Sequence, residues 1–255
     1  MTDATGFTTL ELTDHDHCVH VQLTRPESRN AIDQTMVDEL HAVCAELEEN
    51  PRTLLLSGCP IDGMGVFASG ADIGQLRDRR RDDALRGINS TIFTRIAELP
   101  MPVIAALDGW ALGGGAELAL AADFRLGTPT LRFGQPETGL GIIAAAGGLW
   151  RLRELTGEQL AKEVLFTGRI LDAEECLTAG IITGIHEPDT LLDAAFDLAA
   201  RIARQDPLAV RVSKRVFHMP RAAHPHVDAI AQAILFESKA KFDRMTAFLE
   251  KKNKR

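Results

Sequence analysis

The chain has 255 residues, with 28 Lys and Arg against 36 Asp and Glu for a net charge of −8, and it is 45% apolar and 25% charged. This is globular composition, and a chain of such length buries a substantial core without disulfide or metal staples. The acidic balance argues against a general affinity for nucleic acid, which rests on clustered Lys and Arg, and the longest apolar-or-glycine run, residues 139–150, falls short of the roughly 18 residues of a membrane span.

The N-terminal segment MTDATGFTTLELTDHDH is acidic and has no basic region followed by an apolar run. Neither a secretory signal nor a transit peptide is expected, and the expected location is the cytoplasm. Alternating Val19, Val21 and Leu23 before Arg25-Pro26 predict a strand running into a turn. Asp33 is placed to cap a helix in which Val37, Leu40, Val43, Cys44 and Leu47 recur at helical spacing until Asn50-Pro51. TLLLSG, residues 53–58, predicts a buried strand. Phe67-Ala68 leads into a Ser-Gly-Ala-Asp turn, the mixed-sign run 77–83 reads as exposed surface, and a helix is predicted over 83–99. Residues 103–107 predict a strand, Asp108-Gly109 a turn, and Gly113-Gly114-Gly115 the start of a helix of small residues. Strands alternate with helices to about residue 187, which implies a layered α/β core. Beyond Pro188, residues 191–202, 208–217 and 226–252 show helical patterning without strands between them. The expected division is an α/β core, 1–204, followed by a helical region, 205–255. Cys18, Cys44, Cys59 and Cys176 form no CxxC pair, so reduced thiols are expected rather than a zinc or redox motif.

Three local features carry possible chemistry. Consecutive glycines at 113–115 let the backbone approach a ligand, and amides at a helix start favour an oxyanion or phosphate, although the same run also fits a flexible turn. FASGADI, residues 67–73, places small residues at a strand end where bare N–H groups can face a ligand, and there Asp72 fits a capping role. Glu117, among Ala116, Leu118 and Ala119, is in a setting that raises a carboxyl pKa by desolvation, and with Glu137 it could divide acid and base duties. Each glutamate also fits a plain role, in a helix first turn or an exposed loop.

In this order and spacing the three features resemble the crotonase family, the enoyl-CoA hydratases and isomerases. Matching segments are LTRPESRNAI (23–32), FASGADI (67–73), PVIAALDGWALGGGAELALAADFRLG (102–127), FGQPETGLG (133–141), LFTGRILDAEECLTAGI (165–181) and MTAFLEKK (245–252). The resemblance implies a spiral of ββα units and a C-terminal helical region that assembles homotrimers or homohexamers. It matches Ala71 and Gly114 to two oxyanion-hole amides and Glu117 and Glu137 to the catalytic carboxyls. Glu117 would be the base toward water and Glu137 the donor to C2. Arg29, Ala31, Ser69, Asp72, Ile73 and Ala145 fall on segments expected to bind substrate, and Lys251, Lys252 and Lys254 could approach the coenzyme A phosphates.

The implied reaction is addition of water across the 2,3-double bond of an enoyl-CoA, with no metal or redox cofactor, coenzyme A being part of the substrate. An isomerase on the same scaffold is the alternative, and a CoA- or RNA-binding relative without activity a more distant one. A dinucleotide-dependent oxidoreductase fits poorly because the glycine spacing is wrong. The sequence departs from the family after Gly141, where Ile143-Ala144-Ala145-Ala146 stands in place of a Pro-Gly-containing turn, and at Ser238-Lys239-Ala240, where the family pattern is acidic.

Overall fold

A computed structural model describes residues 6–253. The chain divides into two compact units, one ending at Ala200 and one beginning at Arg201.

The first unit opens on a hairpin of β1 (Leu10–His15) and β2 (Cys18–Leu23), paired antiparallel from Leu10 opposite Leu23 to His15 opposite Cys18. Sequence reading found only β2. The edge strand β1 exposes Glu11, Thr13 and Asp14, and its Asp16-His17 turn lacks the Asn-Gly type of hairpin signal. Helix α1 (Gln34–Glu49) is capped as expected, Asp33 Oδ1 accepting from the Met36 N–H at 2.8 Å, and it buries Val37, Leu40, Val43, Cys44 and Leu47.

From there strands come in pairs. β3 (Thr53–Gly58) is followed by β4 (Val66–Ala68), and after helices α2 (Ile73–Asp78), α3 (Arg81–Arg86) and α4 (Ile88–Ala97) come β5 (Val103–Leu107) and β6 (Trp110–Leu112). Helix α5 (Gly114–Ala121) precedes β7 (Phe124–Gly127) and β8 (Arg132–Gly134). A 3-10 turn (Glu137–Leu140) then leads to α6 (Gly148–Thr167), β9 (Ile170–Leu171), α7 (Ala173–Thr178) and α8 (Leu191–Ala203). The first strand of each pair joins a five-stranded sheet, β1-β2-β3-β5-β7, and the second joins a four-stranded sheet, β4-β6-β8-β9. The result is the expected spiral of ββα units. Strands β2, β3 and β5 are parallel and almost wholly buried, which accounts for the continuous apolar runs of β3 and β5.

The helix predicted over 83–99 is instead two. Gly87, at φ +64°, ends α3 and starts α4, a left-handed conformation that glycine adopts without the Cβ penalty. The apolar run 139–150 does not form a core segment. Ile142, Ile143, Leu149 and Trp150 are exposed while Ala144, Ala146, Gly147 and Gly148 are buried, so the run is a loop with one inward face that joins the 3-10 turn to the first turn of α6.

The second unit contains α9 (Pro207–Phe217), α10 (His226–Phe236) and α11 (Lys239–Asn253). The patterning over 226–252 is thus broken at Glu237-Ser238, where Ser238 Oγ accepts from the Lys241 N–H at 3.2 Å and so caps the last helix. Among the described residues no helix is long and apolar enough to cross a membrane.

Candidate active site

Ala71 stands just after β4, bridged in parallel to Ile32. The pairing uses its neighbours, since the Ile32 N–H donates to the Gly70 carbonyl at 2.8 Å and the Asp72 N–H to the Ile32 carbonyl at 2.9 Å. That pattern turns the Ala71 amide away from Ile32. Asp72 caps α2, accepting from the Gln75 N–H, and Arg25 lies 3.4 Å from both Asp72 and Asp33 while donating to the Ala31 carbonyl at 2.6 Å.

Gly114 is the first residue of α5, a position whose N–H has no intrahelical acceptor. A Cβ on Gly114 would lie 3.1 Å from the Ala71 nitrogen, so the two backbone nitrogens stand close together. At Gly115 a Cβ would lie 2.2 Å from the Ala68 carbonyl oxygen, and the absent side chain lets α5 press directly on β4. The two segments thereby hold their amides side by side.

Glu117, one turn into α5, is only 4% exposed. Its Oε1 accepts from the Ala146 N–H at 2.7 Å and the Gly148 N–H at 2.9 Å, while Oε2 receives no protein hydrogen bond among the described residues. Burial pushes its pKa up to about 7, helped by the nearby Glu137 charge and opposed by the two amides and by Arg151. Glu137 opens the 3-10 turn and is 8% exposed. Its Oε1 lies 2.9 Å from where a Cβ on Gly113 would stand, and the Gln135 amide donates to its two oxygens at 3.0 and 3.1 Å. Burial raises the pKa of this carboxyl too. The structure therefore brings together two amides and two desolvated carboxyls, the parts needed to stabilise a developing oxyanion and to move protons beside it.

Arg29, Ala31 and Ser69 form one junction next to this site: the Ser69 N–H donates to the Arg29 carbonyl at 3.1 Å and Ser69 Oγ to the Ser28 carbonyl at 3.3 Å. Ala31 is buried, whereas Arg29 and Ile73 are exposed. Ala145 is exposed, and the amides on Glu117 belong to its successors Ala146 and Gly148. Lys251 and Lys252 are exposed on α11 in the second unit, and Lys254 lies outside the described residues. Sequence reading passed over two buried side chains at the carboxyls. Gln135 stands two residues before Glu137, a spacing that could have marked it. Arg151 sits beneath the loop that holds Glu117, with Nη1 3.4 Å from the Ala146 carbonyl and the guanidinium 4.4 Å over the Trp150 ring. Its sequence neighbours gave no such signal. Among the described residues no group of three His, Cys, Asp or Glu side chains is arranged to hold a metal ion.

A family model described as enoyl-CoA hydratase/isomerase matches residues 14–255. A short-chain-enoyl-CoA hydratase of Clostridium acetobutylicum is 36% identical over 245 residues, 91% of each chain, and a crotonyl-CoA hydratase of Syntrophomonas wolfei is 34% identical over 240 residues, 90% of each. The solved structure of an enoyl-CoA hydratase from Bacillus anthracis matches with a TM-score of 0.88 at 30% identity, covering 96% of this chain and 97% of the other. The chain belongs to the enoyl-CoA hydratase/isomerase family, the crotonases.

Proposed function

We propose that this chain is an enoyl-CoA hydratase, a hydro-lyase that adds water across the 2,3-double bond of a 2-enoyl-CoA to give a 3-hydroxyacyl-CoA. The observation that carries the reading is the pair of buried carboxyls, Glu117 and Glu137, beside the paired amides of Ala71 and Gly114. Relatives named as hydratases support it.

In this mechanism the thioester oxygen lies between the Ala71 and Gly114 N–H groups and a water lies between the carboxyls. Glu117, ionised, takes a proton from the water as its oxygen bonds to C3. The electron pair of the double bond moves toward the thioester, and the charge that gathers on its oxygen is met by the two amides. Glu137 then delivers a proton to C2. The amides of Ala146 and Gly148 fix one oxygen of Glu117 and leave the other for the water. The reading needs no resident cofactor. It places the enzyme in the cytoplasm and gives the helical second unit the task of assembling homotrimers or homohexamers.

Purified protein mixed with crotonyl-CoA should bleach the conjugated-enoyl absorbance as 3-hydroxybutyryl-CoA forms. Negligible hydration together with rapid conversion of a 3-enoyl-CoA to its 2-enoyl isomer would replace this reading with an isomerase.

A further inference from the structure

Asn89 is the second residue of α4 and half-buried, and its role is not explained by capping, since the N-terminus of that helix has no side-chain cap hydrogen bond. Its Oδ1 accepts from Arg79 Nη1 at 3.2 Å. A guanidinium can only donate, so this contact fixes the carboxamide with oxygen toward Arg79 and nitrogen the other way. Nδ2 then lies 3.6 Å from the point where a Cβ on Gly114 would stand, the same point that is 3.1 Å from the Ala71 nitrogen. The Gly114 nitrogen is itself about 2.5 Å from that point by covalent geometry. Three N–H-bearing nitrogens thus gather around the open side of the Gly114 Cα. Among the described residues Nδ2 meets no acceptor, and two further N–H bonds are available there. Arg79 also lines an open polar groove with Gln75, Asp78, Asp83 and Arg86, so its contact to Asn89 is one branch of a larger charged surface.

We propose that the Asn89 carboxamide is a third donor to the thioester oxygen, and that Arg79 is the positioning residue that aims it. The inference rests on the proposed function, because it takes an acyl-CoA thioester as the group bound between Ala71 and Gly114. Arg79 also withdraws electron density through Oδ1, which makes the Nδ2 protons better donors as negative charge gathers on the substrate. Backbone donors are fixed by the fold, and a side-chain donor adds a contact that a single substitution can remove.

The test uses Asn89→Ala, Asn89→Asp, Arg79→Met and Arg79→Lys with an enoyl-CoA labelled at C1. The infrared carbonyl stretch of the bound thioester should move to lower frequency on wild type and to a smaller extent on both Asn89 variants. Turnover should fall about 10- to 100-fold in Asn89→Ala, with KM changed less than about threefold, a loss at or below that of an oxyanion-hole donor. Asn89→Asp should be slower still, because it keeps the shape and puts an acceptor where charge develops. Arg79→Met should fall between wild type and Asn89→Ala, with Arg79→Lys recovering part of the loss. An unchanged carbonyl stretch in both Asn89 variants, or wild-type turnover in Asn89→Asp, would overturn the inference. If wild type binds the thioester and shows the Asn89-dependent shift without hydrating it, the inference stands and the hydratase reading falls. If wild type binds no thioester, both fall.

Discussion

Burial decides the protonation of the two carboxyls, and with it both activity and stability. Glu117 has a pKa near 7 in the folded chain against an ordinary 4.5, so it is stabilising in its protonated form and that contribution is lost as pH rises through about 7. The ionised form at alkaline pH costs on the order of 3 kcal/mol. A neutral isostere relieves this. Glu117→Gln is therefore expected to raise the melting temperature at pH 8 but not at pH 4, while turnover drops at least about a hundredfold. Glu137→Gln should lose turnover to a similar extent. In wild type kcat/KM should climb with pH as the base ionises near 7, a limb absent from the residual activity of Glu117→Gln. Calorimetry and a pH–rate profile check both, and a Glu117→Gln protein less stable than wild type at pH 8 would contradict the burial argument. Glu117 and Glu137 were legible in the sequence because apolar or small neighbours surround one and a distinctive loop surrounds the other. Arg151 was not, since Trp150-Arg151-Leu152-Arg153 reads as an ordinary helix surface and only the fold turns that one guanidinium inward.

Between α5 and α6 the loop through residues 142–148 acts as a clasp on Glu117. Alanines at 144 and 145, where the family resemblance leads one to expect Pro-Gly, look disruptive in sequence. Yet the positive-φ residues of this loop and its flanks are Gly141 and Gly147, so Ala145 needs no glycine conformation. Ala145→Gly is expected to leave crotonyl-CoA hydration within about twofold, with a stability cost of about 0.4–1 kcal/mol from the freer unfolded chain. Gly148 is the sensitive position. A Cβ there would stand 2.8 Å from the Ala144 Cβ and 2.9 Å from the Gln135 carboxamide, so Gly148→Ala must shift either the Glu117 clasp or the Glu137 donor. Turnover should fall at least about tenfold, because a displacement near 1 Å can cost up to about a hundredfold. A wild-type rate in Gly148→Ala would show that neither contact matters. Most elements of this core were legible as strand-turn-helix cycles, whereas the break at Gly87 was not, because a lone glycine inside a helical pattern is tolerated as often as it interrupts.

At the scale of the whole molecule, no residue of α9 or α10 is fully buried, and Phe217, Ile230, Ile234, Phe236, Phe242, Phe248 and Leu249 of the second unit are exposed. Apolar surface of that extent fits the proposed assembly of this unit with other copies of the chain. Light scattering is expected to give three chains or a multiple of three, and Ile230→Asp with Ile234→Asp to give smaller species; a monomeric wild type at micromolar concentration would refute the assembly. The sequence conveyed the helical character of this region but not which apolar positions stay uncovered, since periodicity alone does not tell an internal face from an external one. The core holds its own consequence in the close seat of α5 on β4 at Gly115. Two main-chain N–H groups, not side chains, are set there, so no codon change short of proline deletes either one. Drift in the gene can replace side chains around this site, such as the exposed Ile73, while the two main-chain amides proposed to steady an enolate are inherited intact. A lineage built this way can exchange substrates without first losing its chemistry.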